Sequence, residues 1–347
     1  TRPASIEVEF AEELCSVIPC ADMVKFAKDG STVTTAAVKL ARAYTGREDV
    51  AFCQDHPFFS YNDWFIGTTP LVGGIPADGA AHSFAFKYND IESLKNLFTQ
   101  YPGRIACVIM EPEREDPPED HFLHRVKDLC TQHGALLIFD EMITGFRWAI
   151  GGAQEVHDVI PDLATFGKAL ANGFALSALV GRRDIMELGG IHHDKDRVFL
   201  LSTTHGAENH AIAASRATLE FYRTYNVVDR LHEQGKKLLD GAKDAALRTG
   251  MSDYFRVFGR TCNLAYQTLD DNGVPSQTHR TLFLQELIRN GVIAPSLVVS
   301  FSHSDDDIAK TVEAIESALL TLKKAQGKDI QEFIVGDSIK SVYRRKN

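Results

Sequence analysis

The sequence predicts an α/β protein with a mostly parallel sheet covered by helices on both faces, followed by a small C-terminal α+β domain. Two uninterrupted apolar runs, 105–110 and 135–139, lie between helical patterns, as is typical of parallel strands that are buried on both faces. The 347 residues suffice for one large domain and a smaller one. From about residue 253 the pattern changes to short strands and helices, so we expect domains at 1–250 and 251–347.

The first ninety residues begin with regular elements and then become irregular. In order, the pattern predicts a helix over 5–17 with Ser5 as its N-cap, a strand over 23–27, a helix over 33–45 that stops near Gly46, and a strand over 50–53. Residues 54–90 are rich in aromatic residues, glycine and proline. A connection of that length in a compact domain is usually functional, so we expect this segment to border the site.

Regular alternation then resumes and continues to the C-terminal region. In order, the predicted elements are the strand over 105–110, a helix that includes 122–130, the strand over 135–139, short strands over 163–166 and 178–180, a helix over 207–224, a long helix near 227–248, and a last helix over 305–324 capped by Ser304 and Asp305.

Composition excludes several classes of partner. The chain has 37 basic and 47 acidic residues, and its net charge of −10 argues against a nucleic-acid-binding protein, which needs a positive surface. No apolar stretch reaches the length of a membrane span. The six cysteines are scattered without a CxxC pair, which favours buried free thiols in a reducing compartment. We therefore expect a cytoplasmic protein without nucleic-acid or membrane partners.

Two acidic residues and one lysine follow predicted strands. Glu111 comes directly after 105–110, Asp140 directly after 135–139, and Lys168 lies 28 residues beyond Asp140. Ligand-binding groups in parallel sheets collect at the carboxyl ends of strands. A lysine that faces a buried carboxylate there suits Schiff-base chemistry, because desolvation and neighbouring charge lower its pKa. A lone lysine usually points to solvent, so only the surrounding sequence can distinguish a Schiff-base lysine from a surface lysine.

Three separated segments around this lysine resemble a known family. They are GALLIFDEMITGFR at 134–147, GGAQ at 151–154 and PDLATFGK at 161–168. In this order they resemble the core of the class III aminotransferases, which have pyridoxal-phosphate (PLP) fold type I. Within that class the glutamate-1-semialdehyde aminomutase branch is the most similar. The resemblance runs from about residue 6 to 323, and since the chain opens at Thr1 rather than Met, we expect the family's N-terminal segment to be missing.

The resemblance implies a PLP cofactor and assigns roles around its ring. Lys168 would form the Schiff base with the cofactor and then act as the general base and acid. Asp140 would keep the pyridinium nitrogen protonated, so that the ring remains an effective electron sink. Met142 would pack against one ring face. Phe58 falls where relatives place the aromatic residue that stacks on the other face, with Phe59 as the alternative.

The resemblance also implies a phosphate site and a shared active site. Gly30 and Ser31 would supply backbone amides at the N-terminus of the second helix. The family's usual Ser-Gly-Thr is here Asp29-Gly30-Ser31, so we expect the Asp29 side chain to face away and cap the helix. Thr203 matches the position whose hydroxyl reaches the phosphate of the other subunit, which implies a homodimer. Glu111 is a candidate contact near the cofactor.

The substrate assignment stays between two reactions of small molecules. The loop DHPFFSYNDW at 55–64 lacks the mutase's Tyr-His-Gly-His pattern, and APSLVVSFSH at 294–303 is shorter than the mutase equivalent and lacks its Glu. These departures favour an aminotransferase that takes an amino donor and a carbonyl acceptor such as a keto sugar or a small phosphorylated or carboxylated compound. An aminomutase remains the alternative. Arg147 and His205 are candidate substrate contacts.

Three other interpretations are less favoured. Residues 136–141 resemble a Walker B strand, which would indicate an NTPase. An NTPase also needs a phosphate-binding GxxxxGK[ST] loop, and the sequence contains none. A non-catalytic PLP-fold protein remains open, although Lys168 and Asp140 argue against it. His192, His193 and Asp194 do not have the spacing of a three-ligand metal site. Apart from Glu111, the acidic stretch 111–120 is interpreted as a solvated loop.

Overall fold

The computed structural model describes residues 4–345 apart from 203, 205 and 207. The chain divides into two compact units, Thr1–Tyr225 and Asn226–Asn347. This division lies earlier than the boundary after residue 250 that the sequence pattern suggested. The reason is that the long helix after residue 226 packs against the last helix and the small sheet of the second unit.

The first unit contains a seven-stranded sheet. Its strands are β1 (Met23–Ala27), β2 (Asp49–Cys53), β3 (Ser83–Phe86), β4 (Ile105–Met110), β5 (Leu136–Asp140), β6 (Leu163–Phe166) and β7 (Ser177–Gly181), in the spatial order β1-β7-β6-β5-β4-β2-β3. Strands β3, β2, β4, β5 and β6 pair in parallel, whereas β7 runs antiparallel to both β6 and β1. The predicted mostly parallel sheet is confirmed. Strand β3 lies in the segment that the sequence pattern left irregular.

Helices cover both faces of this sheet. They are α1 (Ser5–Val17), α2 (Gly30–Thr45), α3 (Asp63–Ile66), α4 (Ile91–Gln100), α5 (Phe122–His133), α6 (Ala153–His157), α7 (Arg183–Met186) and α8 (Asn209–Thr224). From Cys107 to Met110, alternate residues of β4 enter two different hydrophobic clusters, one shared with α1, α4, α5 and α8 and the other with α2, α3 and α7. Since successive strand side chains point to opposite faces, this alternation explains why β4 is apolar throughout.

Helix ends explain the small differences from the predicted bounds. The N-cap of α1 is Ala4, not Ser5, and no side chain caps this helix. Helix α2 begins at Gly30 rather than at residue 33, because the Asp29 carboxylate accepts hydrogen bonds from the Thr32 backbone N–H at 2.9 Å and from the Thr32 hydroxyl at 2.8 Å. The expected capping role of Asp29 is therefore confirmed. Helix α2 ends, as predicted, before Gly46, whose φ of 66° is left-handed.

The second unit is a small α+β structure. It comprises α9 (Val227–Thr249), β8 (Phe255–Phe258), β9 (Ala265–Thr268), α10 (Gln277–Arg289) and α11 (Asp305–Ala325), with β8 and β9 antiparallel. Ser304 caps α11 in a reciprocal capping box with Asp307. Across the residues that the structure describes, no helix combines the length and hydropathy needed to cross a membrane.

Candidate active site

A cleft of about 520 Å³ lies in the first unit at the carboxyl ends of β4, β5 and β6. These three strands are parallel neighbours, so the residues that follow them meet at one edge of the sheet. The cleft is lined by nine of the residues that the sequence singled out, namely Asp29, Gly30, Ser31, Phe58, Phe59, Glu111, Asp140, Met142 and Lys168.

Lys168 follows β6 and is exposed in the cleft. Its φ of 45° is left-handed, a conformation that costs a residue with a side chain about 1–2 kcal/mol. Such strained positions cluster at functional sites. The positive charge of Lys168 lowers the pKa of both Asp140 and Glu111, so its side chain lies within electrostatic reach of both acids.

Asp140 is the last residue of β5 and is only 4% exposed. Burial raises the pKa of its carboxyl to about 6, although hydrogen bonds from Met142 and Thr165 and the charge of Lys168 oppose this rise. Its Oδ1 accepts the Met142 backbone N–H at 3.0 Å. A cationic group placed beside this buried carboxylate would offset its desolvation and favour the ionised form.

Glu111 follows β4 and is 5% exposed. Burial first, and then the charge of Asp140, raise the pKa of the Glu111 carboxyl to about 8. No described residue forms a hydrogen bond with its Oε2 atom. A buried polar atom of this kind takes a partner from outside the chain, either a ligand or an ordered water.

His56 fixes the backbone at Glu111. Its Nδ1 accepts the Glu111 backbone N–H at 3.0 Å, and its ring packs against Tyr88 and Phe59. Burial lowers the pKa of His56 to about 3, so the imidazole is neutral and carries its proton on Nε2. Sequence reasoning missed this contact because it joins residues 55 positions apart.

Met142 lies between two glycines of the cleft. A Cβ atom on Gly30 would come within 3.2 Å of the Met142 sulfur, and one on Gly167 within 2.6 Å. The absence of side chains at these two positions therefore allows Met142 to lie between the start of α2 and the lysine-bearing turn. Close approach of backbone to neighbours is a common reason for glycine at a binding site.

The N-terminus of α2 borders the same cleft. Gly30 is its first residue, and Ser31 is buried with its Oγ accepting the Tyr61 backbone N–H at 3.1 Å. The first N–H groups of a helix have no intrahelical partner and carry a partial positive charge. This end of α2 therefore has the character of an anion-binding site.

The two aromatic candidates differ in their surroundings. Phe58 is 45% exposed, and its ring meets Phe65 edge-on with 6.0 Å between the centroids. Phe59 is 1% exposed and packs into the core against the same residue. Phe58 is therefore free to cover a ligand, whereas Phe59 is a core residue.

Residues 3–319 match the family model described as aminotransferase class-III. The chain belongs to the class III aminotransferase family. It is 32% identical over 335 residues to glutamate-1-semialdehyde 2,1-aminomutase of Francisella philomiragia, covering 89% of this chain and 76% of that protein. It is also 32% identical over 322 residues to 3-aminobutyryl-CoA aminotransferase of Cloacimonas acidaminovorans, covering 90% of this chain and 74% of that protein.

Two solved structures have the same fold as this chain. An omega-transaminase from Sphaerobacter thermophilus superposes with a TM-score of 0.84 at 25% identity, covering 93% of this chain and 80% of that one. The FumI protein of Sphingopyxis sp. MTA144 superposes with a TM-score of 0.82 at 26% identity, covering 94% and 77%. The predicted PLP fold type I is confirmed.

The chain is accordingly a PLP-dependent enzyme of the class III aminotransferase or aminomutase type that acts on small molecules. The cleft fits this cofactor. It combines the exposed Lys168, the buried Asp140 and the N-terminus of α2, whose first residue is a glycine. It also contains the Oε2 atom of Glu111, which has no hydrogen-bond partner among the described residues. When bound, PLP supplies a carbonyl that condenses with amines and a ring that withdraws electrons.

Glu141 is a buried residue that sequence reasoning missed. Its carboxylate accepts the backbone N–H groups of Ala153 at 2.8 Å and Gln154 at 2.9 Å, and also the Thr144 hydroxyl. Gly152 has a φ of 89°, and a Cβ there would lie 2.4 Å from the Glu141 carboxylate. The GGAQ motif therefore binds the side chain of Glu141, the residue after Asp140. These contacts fix the loop that follows β5.

Three predicted candidates remain to be placed, and one residue of the cleft was not predicted. Arg147 is half-buried and is not among the described residues that line the cleft. Thr203 and His205 lie outside the described residues. Arg114 lines the cleft, although no sequence pattern distinguished it from the rest of its acidic stretch.

Proposed function

We propose that this protein transfers an amino group from a small amino donor to a separate carbonyl acceptor, either a keto sugar or a small keto or aldehyde compound. The observation that carries the proposal is the cleft in which the exposed Lys168, the buried Asp140 and the N-terminus of α2 meet. A lysine opposite a buried carboxyl suits covalent chemistry on a carbonyl, and a helix N-terminus suits a phosphate.

Lys168 and Asp140 have the two catalytic roles in this proposal. The Lys168 Nζ atom would hold the cofactor, and it would act as the general base and acid that moves a proton from the substrate carbon to a neighbouring atom. Asp140 would keep the cofactor's ring nitrogen protonated, and the hydrogen bond from the Met142 backbone N–H orients its carboxylate.

The other cofactor contacts surround this pair. The backbone N–H groups of Gly30 and Ser31 would hold the phosphate. Met142 would pack on one ring face and Phe58 on the other, and Glu111 would contact the cofactor or substrate from the side of β4. The exposure of Phe58 and the position of Met142 between Gly30 and Gly167 support these assignments.

An intramolecular amino transfer is the second candidate, because a glutamate-1-semialdehyde 2,1-aminomutase and an aminotransferase are equally similar to this chain. The aromatic loop at 55–64 favours the aminotransferase. In it His56 is committed to the Glu111 backbone, and Phe58 occupies the cleft.

The visible absorbance of the protein with added PLP tests the proposal. We expect a band that requires Lys168, decreases when glutamate or another amino donor is added, and returns when a keto acid is supplied. Lys168→Ala is the control. A wild-type protein without this band contradicts the proposal. A band accompanied by amino transfer within glutamate-1-semialdehyde, without any external acceptor, supports the aminomutase instead.

We also propose a homodimer with shared active sites, in which Thr203 reaches the phosphate of the other subunit, and a cytoplasmic location. The family resemblance at 201–206 supports the first. All six cysteines are free, which supports a reducing compartment.

A further inference from the structure

Arg114 adds a positive charge to the wall of the cleft. It lies on the loop after β4, three residues beyond Glu111, and lines the same cleft as Lys168. Its charge lowers the pKa of both Glu111 and His56. The guanidinium group therefore lies within electrostatic reach of the buried acid and of the histidine that fixes that acid's backbone.

The contacts of Arg114 leave much of its guanidinium available. Within the described part of the chain its one ion pair joins Nε to Glu115 Oε1 at 3.1 Å, and its side chain is 27% exposed. The other cleft residues at the start of α2 are already paired, since Lys28 contacts Glu208 at 3.4 Å and Asp29 caps the helix. A guanidinium held at Nε can still present its terminal amino groups to a planar anion.

Glu111 provides a second observation in the same cleft. Its Oε2 atom is buried and lacks a hydrogen-bond partner among the described residues. Burial raises the pKa of this carboxyl to about 8, so near neutral pH it is a hydrogen-bond donor and does not repel an anion. An anionic group beside Arg114 would thus also be compatible with its acidic neighbour.

We propose that Arg114 determines substrate specificity by binding an anionic group, a carboxylate or a phosphate, on the amino donor or the carbonyl acceptor, beside the orphan Oε2 of Glu111. This inference rests on the proposed function and adds the chemical class of the substrate. Charge-assisted hydrogen bonds contribute more than neutral ones and select against uncharged analogues.

The test is calorimetric binding to the PLP-loaded protein, in which the cofactor already fills its own phosphate site. The probes are glutarate against its neutral diamide, and glycerol 3-phosphate against glycerol. The variants are Arg114→Gln, Arg114→Lys, and Arg125→Gln as the control. Arg125 is exposed on α5 and is not among the cleft-lining residues, so its substitution makes the same change of charge outside the site.

We expect the wild-type protein and Arg125→Gln to bind at least one anion more tightly than its neutral counterpart. Arg114→Gln should lose roughly 10- to 100-fold in affinity for that anion and keep its affinity for the neutral probe. Arg114→Lys should retain part of the preference. A preference for glutarate would identify the anionic group as a carboxylate, and a preference for glycerol 3-phosphate would identify it as a phosphate.

The inference is overturned if neither anion is preferred by the wild-type protein, or if Arg114→Gln keeps the preference. The Lys168-dependent absorbance band, recorded on the same samples, separates this failure from that of the proposed function. A band without an anion preference overturns only the role of Arg114. A wild-type protein without the band removes the proposed function itself.

Discussion

Burial controls the ionisation of the two acids in the cleft. It raises the pKa of Asp140 to about 6 and that of Glu111 to about 8. Both carboxyls therefore bind a proton more tightly in the folded chain than in the unfolded one. Their contribution to stability is complete below the unfolded pKa of about 4, and it is lost as the pH rises through about 6 for Asp140 and about 8 for Glu111.

Glu111→Gln should remove part of this dependence on pH. In the cofactor-free protein, the wild-type free energy of unfolding should fall between pH 5 and pH 9 by at least about 1 kcal/mol more than that of the variant, since one unit of pKa corresponds to about 1.4 kcal/mol. Urea unfolding at several pH values measures this. Glu119→Gln, which changes an exposed residue of the same loop, is the control. Equal slopes for wild type and Glu111→Gln would contradict the burial argument.

Gly152→Ala should destabilise the protein strongly. The alanine would have to keep the positive φ of 89°, and its Cβ would lie 2.4 Å from the buried Glu141 carboxylate. We therefore expect a loss of about 2–4 kcal/mol in the free energy of unfolding. Gly103→Ala is the matched control, because Gly103 also has a positive φ but nothing lies within 4 Å of its added Cβ. Similar losses in the two variants, measured by urea unfolding, would refute the role of the Glu141 contact.

Single residues of the site could be predicted when they belong to a motif. Lys168, Asp140 and Met142 lie in segments whose order along the chain is informative by itself. His56 and Glu141 could not be found in this way, because their importance comes from contacts with backbone atoms at Glu111 and at 153–154. Arg114 was hidden because an acidic stretch is usually solvated.

The N-terminus of helix α2 is part of the site. The Asp29 carboxylate determines where this helix begins and so presents Gly30 and Ser31 to the cleft. An N-cap carboxylate satisfies backbone N–H groups that otherwise have no partner in the helix.

Asp29→Ala should lower the free energy of unfolding by about 1 kcal/mol, because the hydrogen bond to the Thr32 backbone N–H is lost. Asp29→Asn should stay within a few tenths of a kcal/mol of the wild type, since asparagine caps helices about equally well. Thermal or urea unfolding compares the three proteins. An alanine variant as stable as the asparagine variant would show that this cap does not matter.

Long elements were predictable and short ones were not. Strands β4 and β5 and helices α9 and α11 carry strong periodic or apolar patterns, and the structure confirms them. Helix α3 and strand β3 have only four residues each, too few for periodicity to distinguish them from a loop. The unit boundary before α9 depends on packing with residues far along the chain, which a local pattern does not contain.

At the scale of the whole molecule, the proposed homodimer with shared active sites predicts how mixed subunits behave. When Lys168→Ala and Thr203→Ala proteins are mixed, each mixed dimer should contain one site with both residues intact. We therefore expect PLP affinity and amino transfer to increase above those of either variant alone, measured by titration of the absorbance band. A monomeric protein that is fully active, or a mixture no better than its parts, would contradict the shared site.

We propose that Lys168 is the residue to which the cofactor binds covalently. Borohydride reduction of the PLP-loaded protein, followed by protease digestion and mass spectrometry, tests it most directly. We expect a pyridoxyl-phosphate adduct on Lys168 that is absent from the Lys168→Ala protein. An adduct on another lysine of the cleft, such as Lys28, or no adduct in a protein that binds PLP, would contradict the claim.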